Sequence, residues 1–241
     1  MNKKVILITG ASSGIGAGIA RELAASGAML LLGARRIDRL QALAEELEQH
    51  GVEVAVAPLD VTSRLSVQQF AQVALDKWGR IDVMINNAGV MPLSPLAALK
   101  VDEWDQMIDV NIKGVLYGIA AALPPMLARE TGHIINIASI GALAVSPTAA
   151  VYCATKFAVR AISDGLRQEH TQLRVTCIHP GVVESELAGT ITDASAAALM
   201  NEYRAIALQP DAIGRAVRFA IEQPDEVDVS EIVVRPTRSP N

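Results

Sequence analysis

Tyr152 and Lys156 stand four positions apart in the stretch VYCATKFAV, which covers residues 151–159. Residues four apart share a helix face, so the lysine ammonium can lie close to the tyrosine phenol. A neighbouring positive charge lowers the pKa of a phenol by about 1 to 3 units, which favours Tyr152 as a general acid or base. The alternative is an ordinary helix surface, with Tyr152 packed and Lys156 reaching into solvent.

Ser139 could supply a hydrogen bond to the same reacting group. It ends the aliphatic run HIINIAS, which starts at residue 133 and is typical of a buried strand. The carboxyl edge of a parallel sheet is the usual ligand side, so a serine there can contact a substrate carbonyl oxygen. The pair at Tyr152 and Lys156 therefore gains a third polar group from a different part of the chain.

A glycine-rich turn follows the first aliphatic run, in VILITGASSGIGAGIA at residues 5–20. Gly10, Gly14 and Gly16 lack side chains, so backbone N–H groups can approach a pyrophosphate at a helix N-terminus. The spacing Gly-x-x-x-Gly-x-Gly matches the commoner dinucleotide fingerprint only in part. The turn predicts a dinucleotide site, with a merely tight turn as the alternative.

The end of the second aliphatic run bears on the type of dinucleotide. An NAD site usually has an acid there, whereas arginine can bind a 2′-phosphate. The sequence is LLLGARRIDRL, with Arg35 and Arg36 in that place and no acid before Asp38. Two cations at a helix start oppose the helix dipole unless an anion joins them. NADP(H) is therefore predicted over NAD(H), with two solvated surface arginines as the alternative.

Aliphatic runs alternate with helical patterns along the whole chain. The runs begin at residues 5, 28, 52, 81, 133, 173 and 231, and the helical patterns cover 18–26, 39–50, 66–78, 102–129, 150–169 and 211–222. This alternation predicts right-handed crossovers and a doubly wound parallel sheet. The length of 241 residues fits a single domain over 1–241. The weakly periodic segment 184–209 is expected to be either a mobile substrate lid or a surface helical hairpin without a role.

Composition argues against several other classes. A formal charge of −5 and 3% aromatic residues are unlike a nucleic-acid-binding protein. The two cysteines, Cys153 and Cys177, have neither CxxC spacing nor a His cluster, so neither a disulfide nor a metal site is expected. Cytoplasmic localisation is expected from this cysteine usage. No run approaching the roughly 20 apolar residues of a membrane span is expected.

Seven motifs in order carry a resemblance to a known family. They are TGASSGIG at 9–16, LDV at 59–61, NNAG at 86–89, Asn111, Ser139, YCATK at 152–156 and PGVVES at 180–185. With these, nearly the whole chain resembles the short-chain dehydrogenase/reductase family, and most of all its NADPH-dependent carbonyl and alcohol reductase branch. The resemblance implies an α/β fold, a Rossmann-type doubly wound parallel sheet of about seven strands with helices on both faces.

The resemblance also implies roles for individual residues. Ser139, Tyr152 and Lys156 match the catalytic triad, and Asn111 matches the residue that extends it through a water. The implied NADP(H) contacts, besides Tyr152 and Lys156, are Gly10, Ser12, Ser13, Gly14, Ile15, Gly16, Arg35, Arg36, Asp60, Val61, Asn87, Ala88, Gly89, Pro180, Gly181, Val183 and Ser185. Ser185 stands where many members have threonine, and it keeps the hydroxyl.

The expected substrate pocket is mostly apolar. Its candidate residues, besides Ser139 and Tyr152, are Met91, Leu93, Ile140, Leu143, Val145, Val182 and Leu187. With no Arg or Lys placed to bind an acid group, a neutral ketone, aldehyde or secondary alcohol is favoured. Cys153 and His179 are expected to be structural.

The predicted function is NADP(H)-dependent reduction of a ketone or aldehyde to an alcohol, with Tyr152 as the acid. One alternative is a dehydrogenase that mainly oxidises a hydroxy acid or a sterol-like alcohol. The other is a non-catalytic NADP(H)-binding redox sensor, which would have no need of the four catalytic-type residues. The resemblance further implies a homo-oligomer, a tetramer or dimer, assembled through the helices that carry Asn111 and Tyr152. No nucleic-acid or membrane partner is expected.

Overall fold

The fold is organised around a seven-stranded parallel sheet with the order β3-β2-β1-β4-β5-β6-β7. A computed structural model describes residues 3–239. The strands are β1 Val5–Thr9, β2 Met29–Ala34, β3 Glu53–Pro58, β4 Val83–Asn86, β5 His133–Ile137, β6 Arg174–Pro180 and β7 Glu231–Val234. All seven predicted strands are confirmed. The order in which strands are added to the sheet reverses between β1 and β4. This switch point creates the crevice where ligands bind in such folds.

Helices cover both faces of the sheet. They are α1 Gly14–Ala24, α2 Ile37–Glu48, α3 Arg64–Trp78, α4 Val101–Met107, α5 Gly114–Ala128, α6 Ala150–Glu169, α7 Ala194–Tyr203 and α8 Asp211–Glu222. The apolar cluster on one face joins α1, α2 and α8 to the sheet. The cluster on the other face joins α3, α5 and α6. Strands β1 and β6 are buried at every position, as expected for strands covered on both sides.

The helical pattern predicted over 102–129 is interrupted. Between α4 and α5 the chain forms a π-helical segment, Ile108–Lys113, which contains Asn111. A π-helical turn widens the helix by one residue and often marks a functional site. The segment lies against α6, so the widening turns the Asn111 side chain toward the helix that carries Tyr152 and Lys156.

The same stretch is the one candidate membrane span within residues 3–239. Val101–Ala128 is long and apolar enough to cross a membrane by length and composition alone. It is not a run of about 20 apolar residues, because Asp102, Asp109 and Lys113 interrupt it. In this fold its side chains Val115, Ala122 and Met126 are buried in the core beside α3, as in a core helix of an α/β domain.

The segment 184–209 forms three short helical elements over the carboxyl edge of the sheet, the last of them a 3-10 turn at Arg204–Ile206. A 3-10 turn covers Glu186–Thr190, and α7 follows after Asp193, whose carboxylate accepts hydrogen bonds from the first amides of α7. Ala196 of α7 is buried against Leu93 and Cys153. The segment is therefore packed above α6, where the sequence placed a possible lid.

Candidate active site

Tyr152 and Lys156 lie on the same face of α6, close to the carboxyl end of β5. The Lys156 Nζ atom is 5.8 Å from the centre of the Tyr152 ring. It also donates a hydrogen bond of 2.9 Å to the carbonyl oxygen of Ile137, the last residue of β5. Lys156 is 5% exposed, so the alternative of a lysine extended into solvent is excluded. A cation is thus held in the protein interior beside a half-buried phenol.

Burial dominates the proton affinities of this pair. It raises the pKa of the Tyr152 phenol to about 12, and a hydrogen bond with the Ser139 side chain acts in the opposite direction. Burial also lowers the pKa of the Lys156 ammonium to about 8. The expectation of a lowered phenol pKa is not met in this structure, because burial is the largest effect on the pKa of Tyr152 and raises it. At neutral pH both groups therefore carry their protons.

Ser139 is positioned by the turn that follows β5. Its side chain accepts a hydrogen bond of 3.0 Å from the amide of Gly141, and its hydroxyl lies within hydrogen-bonding reach of Tyr152. Its carbonyl oxygen lies 3.1 Å from Nδ1 of His179, a fully buried residue of β6. A carbonyl only accepts, so this contact puts the proton on Nδ1. His179 thus holds the Ser139 backbone in place.

The side chain of Asn111 fixes the loop after β4 by hydrogen bonds to the backbone amide and the backbone carbonyl of Val90. Its Oδ1 accepts from the Val90 amide at 2.9 Å, and its Nδ2 donates to the Val90 carbonyl at 3.0 Å. Nδ2 also lies 3.1 Å from the Thr155 hydroxyl on α6. Both protons of the side-chain amide are thus used within the protein. Asn111 acts as a positioning residue between β4 and α6, while its role in holding a water stays a prediction.

The glycine turn is built by close backbone approach. Gly10 and Gly14 have φ of 68° and 52°, in the left-handed region that favours glycine. A Cβ at Gly16 would lie 2.4 Å from the Gly10 oxygen and 2.6 Å from Nδ2 of Asn87. Asn87 donates to the carbonyls of Thr9 and Gly10 at 2.9 and 3.2 Å. The first NNAG residue after β4 therefore holds the turn in shape.

Thr9 completes this arrangement, and the sequence analysis missed it. Its hydroxyl accepts from the amides of Asn87 and Ala88, both at 3.0 Å. The β1 and β4 ends are thereby joined under the glycine turn. A threonine that ends a buried strand just before a glycine turn is the signal that could have indicated this role.

This turn fits a dinucleotide pyrophosphate. Helix α1 begins at Gly14, so its first amides face the turn without a side chain in the way. The side chain of Ser13, the residue before the helix, accepts from Arg36 Nη2 at 2.8 Å, and Ser12 accepts from the same atom at 3.2 Å. Bare amides, two hydroxyls and a cation thus lie together, as an anionic cofactor requires.

The two predicted phosphate-binding arginines differ in their surroundings. Arg36 Nη1 lies 2.7 Å from Oε2 of Glu186, and Arg39 Nη1 lies 2.5 Å from Oε1 of the same carboxylate. Arg35 is exposed, and within residues 3–239 no ion pair involves it. The sequence analysis missed Glu186 and Arg39, since nothing local links positions 147 residues apart.

Other implied cofactor contacts have roles in the fold as well. Asp60 accepts from the amide and the hydroxyl of Thr62 at 2.9 and 2.7 Å, which lowers the pKa of its carboxyl. Val61 is buried against Gly114 at the start of α5. The Gly181 amide donates to the Val234 carbonyl at 2.7 Å, which extends the pairing of β6 with β7.

The remaining implied contacts line the carboxyl edge. Gly89 lies beside both catalytic-type groups, since a Cβ there would be 3.4 Å from Asn111 Oδ1 and 3.7 Å from Lys156 Nζ. Pro180 ends β6, and Val183 forms a bridge with Leu208 and is buried in the core. These positions share one edge of the sheet with the glycine turn. Ile15, which follows Gly14 in α1, is half-buried against the core.

The expected substrate-side residues differ in their exposure. Leu93 is buried in a cluster with Cys153 and Ala196, and Met91 and Tyr152 pack against that cluster. Val182 is buried, and Ile140 and Leu187 are half-buried. Leu143 and Val145 are 39% and 63% exposed on the turn after Ser139, and their contact with a substrate stays a prediction.

Cys153 is a packing residue in the same cluster. It is 2% exposed, and burial raises the pKa of its thiol. A thiol held in its protonated form is a poor nucleophile. Within residues 3–239 no group of three or more His, Cys, Asp or Glu side chains is arranged to hold a metal ion.

A cleft of about 700 Å³ lies at the opposite, amino edge of the sheet. Four of its five cations have carboxylate partners: Asp82 pairs with Arg80 and Arg129, and Asp225 pairs with Lys4 and Arg174. These ion pairs stabilise the strand starts. The cleft is therefore separate from the polar groups at the carboxyl edge.

The fold and the carboxyl-edge site define a Rossmann-type oxidoreductase. A protein-family model described as short chain dehydrogenase matches residues 4–196. An uncharacterized oxidoreductase of Staphylococcus saprophyticus is 48% identical over 238 residues, which are 97% of this chain and 96% of that protein. This chain therefore belongs to the short-chain dehydrogenase family, as its motifs predicted, and is an oxidoreductase acting on CH–OH or C=O groups.

Solved structures agree with this assignment. An alcohol dehydrogenase of the archaeon Thermococcus sibiricus, complexed with 5-hydroxy-NADP, has a TM-score of 0.90 and 35% identity, covering 99% of this chain and 98% of that one. A family member from Burkholderia phymatum in complex with NAD has a TM-score of 0.89 and 26% identity, covering 96% of this chain and 89% of that one. Proteins of this fold thus bind NADP or NAD.

Proposed function

We propose that this protein is an NADP(H)-dependent reductase that converts a ketone or aldehyde to an alcohol. The observation that carries the proposal is the grouping of Tyr152, Ser139 and Lys156 at the carboxyl edge, beside a glycine turn with a basic end. Arg35 and Arg36 support a 2′-phosphorylated cofactor, because they lie where an NAD site has an acid.

The proton on Tyr152 suits it as the donor to a carbonyl oxygen in a reduction. The phenol is protonated at neutral pH, but burial raises its pKa to about 12, so it needs a nearby positive charge to stabilise the phenolate left after donation. The Ser139 hydroxyl hydrogen-bonds the same carbonyl oxygen and orients it. Lys156, fixed by Ile137, keeps a positive charge next to the phenolate that forms. The reduced nicotinamide, when bound, supplies the hydride.

The substrate is proposed to be neutral and largely apolar. The cluster of Leu93, Cys153 and Ala196, with Met91 packed against it, offers apolar contact beside the Tyr152 ring. An apolar wall with one pair of polar groups suits a carbonyl compound with hydrophobic substituents. An acid group would lose its hydration there without gaining a cation.

We also propose a cytoplasmic homo-oligomer. Val101, Ile108, Leu116 and Phe157 expose apolar surface of 49%, 39%, 42% and 38% on the neighbouring helices α4 to α6. Such a patch is typical of a subunit interface. Light scattering coupled to size exclusion should give a multiple of the 25.5 kDa chain. A monomer at micromolar concentration would contradict this part of the proposal.

The catalytic assignment is tested with Tyr152→Phe, which removes only the phenol oxygen. NADPH oxidation is followed with a panel of ketones and aldehydes, and NADP+ affinity is measured by calorimetry. Turnover should fall at least 100-fold, the lower range of a general acid's contribution, while NADP+ affinity changes less than threefold. Tyr117→Phe on α5 is the matched control. Turnover by Tyr152→Phe at the wild-type rate would contradict the mechanism.

The same panel separates the proposed function from its rivals. Run in reverse with hydroxy acids, sterols and simple alcohols, it distinguishes a reductase from an enzyme that mainly oxidises. Tight NADP+ binding without turnover of any substrate would favour a redox sensor. Tighter binding of NADH than of NADPH would contradict the argument from Arg35 and Arg36.

A further inference from the structure

A carboxylate of the chain itself contacts Arg36, one of the two predicted phosphate-binding arginines, and the nearby Arg39. Glu186 contacts Arg36 and Arg39 through separate oxygens, at 2.7 and 2.5 Å. Ser13 of the glycine turn also hydrogen-bonds this carboxylate. These bonds, led by those from Arg39 and Arg36, lower the pKa of Glu186 to about 2, so it is ionised at every physiological pH. Two guanidinium groups and a hydroxyl are also the donors that a phosphate takes.

The backbone next to Glu186 lies over the glycine turn. Gly14 faces Ser185, because a Cβ at Gly14 would be 3.0 Å from the Ser185 Cβ. Ser185 in turn caps the 3-10 turn Glu186–Thr190, with its side chain accepting from the Leu187 amide. One short segment thus covers both the glycine turn and the arginine pair.

We infer that Glu186 is an internal competitor for the cofactor 2′-phosphate and thereby sets how strongly the protein selects a 2′-phosphorylated cofactor. This inference rests on the proposed NADP(H)-dependent function. A 2′-phosphate gains Arg36 and Arg39 only when the Glu186 carboxylate leaves them, so at these two side chains the phosphate exchanges one anion for another. Arg35, which lies outside these ion pairs, can bind the phosphate without such an exchange. A cofactor without this phosphate leaves the ion pairs intact.

The expected size of the effect follows from the exposure of these groups. The side chains of Glu186 and Arg36 are 53% and 41% exposed, and exposed ion pairs each contribute only about 0 to 1 kcal/mol. Releasing two such pairs, each taken at the middle of that range, about 0.3 to 0.7 kcal/mol, corresponds to a gain in phosphate affinity of about 3- to 10-fold. The competition therefore tunes affinity and does not block binding.

The test compares two nucleotides that differ only in the phosphate at issue. Adenosine 2′,5′-bisphosphate and adenosine 5′-monophosphate are titrated into the full-length protein by calorimetry, together with NADP+. In Glu186→Gln the bisphosphate should bind about 3- to 10-fold more tightly than in the wild type. The monophosphate should change less than twofold.

Glu184→Gln is the matched control. Glu184 lies two residues away and pairs with Arg204, so this variant removes the same charge from the same segment without touching the arginine pair. It should leave the affinity of both nucleotides within twofold of the wild type. An equal gain in both variants would mean that general charge, and not competition, is responsible, and would overturn the inference.

Two further outcomes separate the inference from the function on which it rests. Unchanged or weaker bisphosphate binding in Glu186→Gln, with normal NADP+ binding by the wild type, overturns the inference alone. Weaker binding would show that Glu186 orients the arginines for the phosphate. A wild-type protein that binds neither NADP+ nor the bisphosphate refutes the proposed function, and the inference with it.

Discussion

The buried charge of Lys156 predicts a specific dependence of stability on pH. Its pKa of about 8 in the folded protein lies below the value of 10.5 expected in the unfolded chain. Between these two values the unfolded state binds more protons, so the free energy of unfolding rises with pH. The arithmetic of this shift gives a rise of about 2 to 3 kcal/mol between pH 7 and pH 10.

The measurement compares the wild type with Lys156→Met, which keeps an unbranched side chain but removes the titrating group. Urea unfolding is followed by circular dichroism at intervals from pH 7 to pH 10. Every other titrating group is common to both proteins, so the wild-type free energy of unfolding minus that of the variant isolates Lys156. This difference should increase by about 2 to 3 kcal/mol over the range.

Lys77→Met on α3 serves as the control, because it removes a lysine whose side chain is 43% exposed. Its difference from the wild type should vary by less than about 1 kcal/mol over the same range, since solvent screens an exposed charge. A wild-type minus Lys156→Met difference that stays flat within 1 kcal/mol would refute the reasoning. It would mean that water or a counter-charge stabilises the ammonium, and that Tyr152 lies beside a lysine of ordinary proton affinity.

Three further predictions concern the surrounding structure. Gly16→Ala would place a Cβ 2.4 Å from the Gly10 oxygen and should lower the free energy of unfolding by about 1 to 3 kcal/mol and weaken NADP+ binding in calorimetry. Gly165→Ala on α6, where a Cβ meets no described atom within 4 Å, should raise the urea midpoint by the equivalent of about 0.5 to 1 kcal/mol. Asn111→Ala leaves the Val90 amide and carbonyl without partners and should cost about 1 to 3 kcal/mol in urea unfolding, with reduced turnover.

The acid limb of stability should depend on Asp82. Burial raises the pKa of this carboxyl, but hydrogen bonds from the Val5 amide, Arg80 and Arg129 together hold it below its usual value. The folded-state pKa lies below the unfolded value, so this stabilisation is present above about pH 4 and is lost as the pH falls through the folded value. Wild type and Asp82→Asn should therefore converge in free energy of unfolding as the pH is lowered from 6 to 2. A constant difference would contradict this assignment.

Local signals explain why much of the fold was predictable. The aliphatic runs that form β1 to β7 are five to eight residues long. A strand covered on both faces is recognised by such a continuous apolar run, because it has no alternation of polar and apolar residues. The helix 102–129 was predicted without its π-helical segment, because the extra residue depends on how Asn111 meets Val90 and Thr155. Those partners lie on other elements, so no periodicity within the helix could reveal it.

The site shows the same division. Glycine spacing and the two arginines after β2 predicted where an anionic cofactor could bind. Glycine lets the backbone approach a ligand because it has no side chain, and arginine is always charged, whatever surrounds it. The sequence predicted that charge would dominate the pKa of Tyr152, whereas burial has the larger effect in the structure. The spacing of Tyr152 and Lys156 indicates proximity, but only packing shows that burial has the largest effect on the pKa of each group.

The sequence by itself determined the parallel sheet, the family and the residue types at the carboxyl edge. These follow from short-range patterns and from motifs whose order survives without coordinates. Only the tertiary structure decided that burial raises the pKa of the Tyr152 phenol, that Asn111 bonds to the Val90 backbone, and that Glu186 contacts Arg36 and Arg39. Each of these depends on burial or on contacts between segments far apart in the chain, and both arise only when the helices close over the sheet.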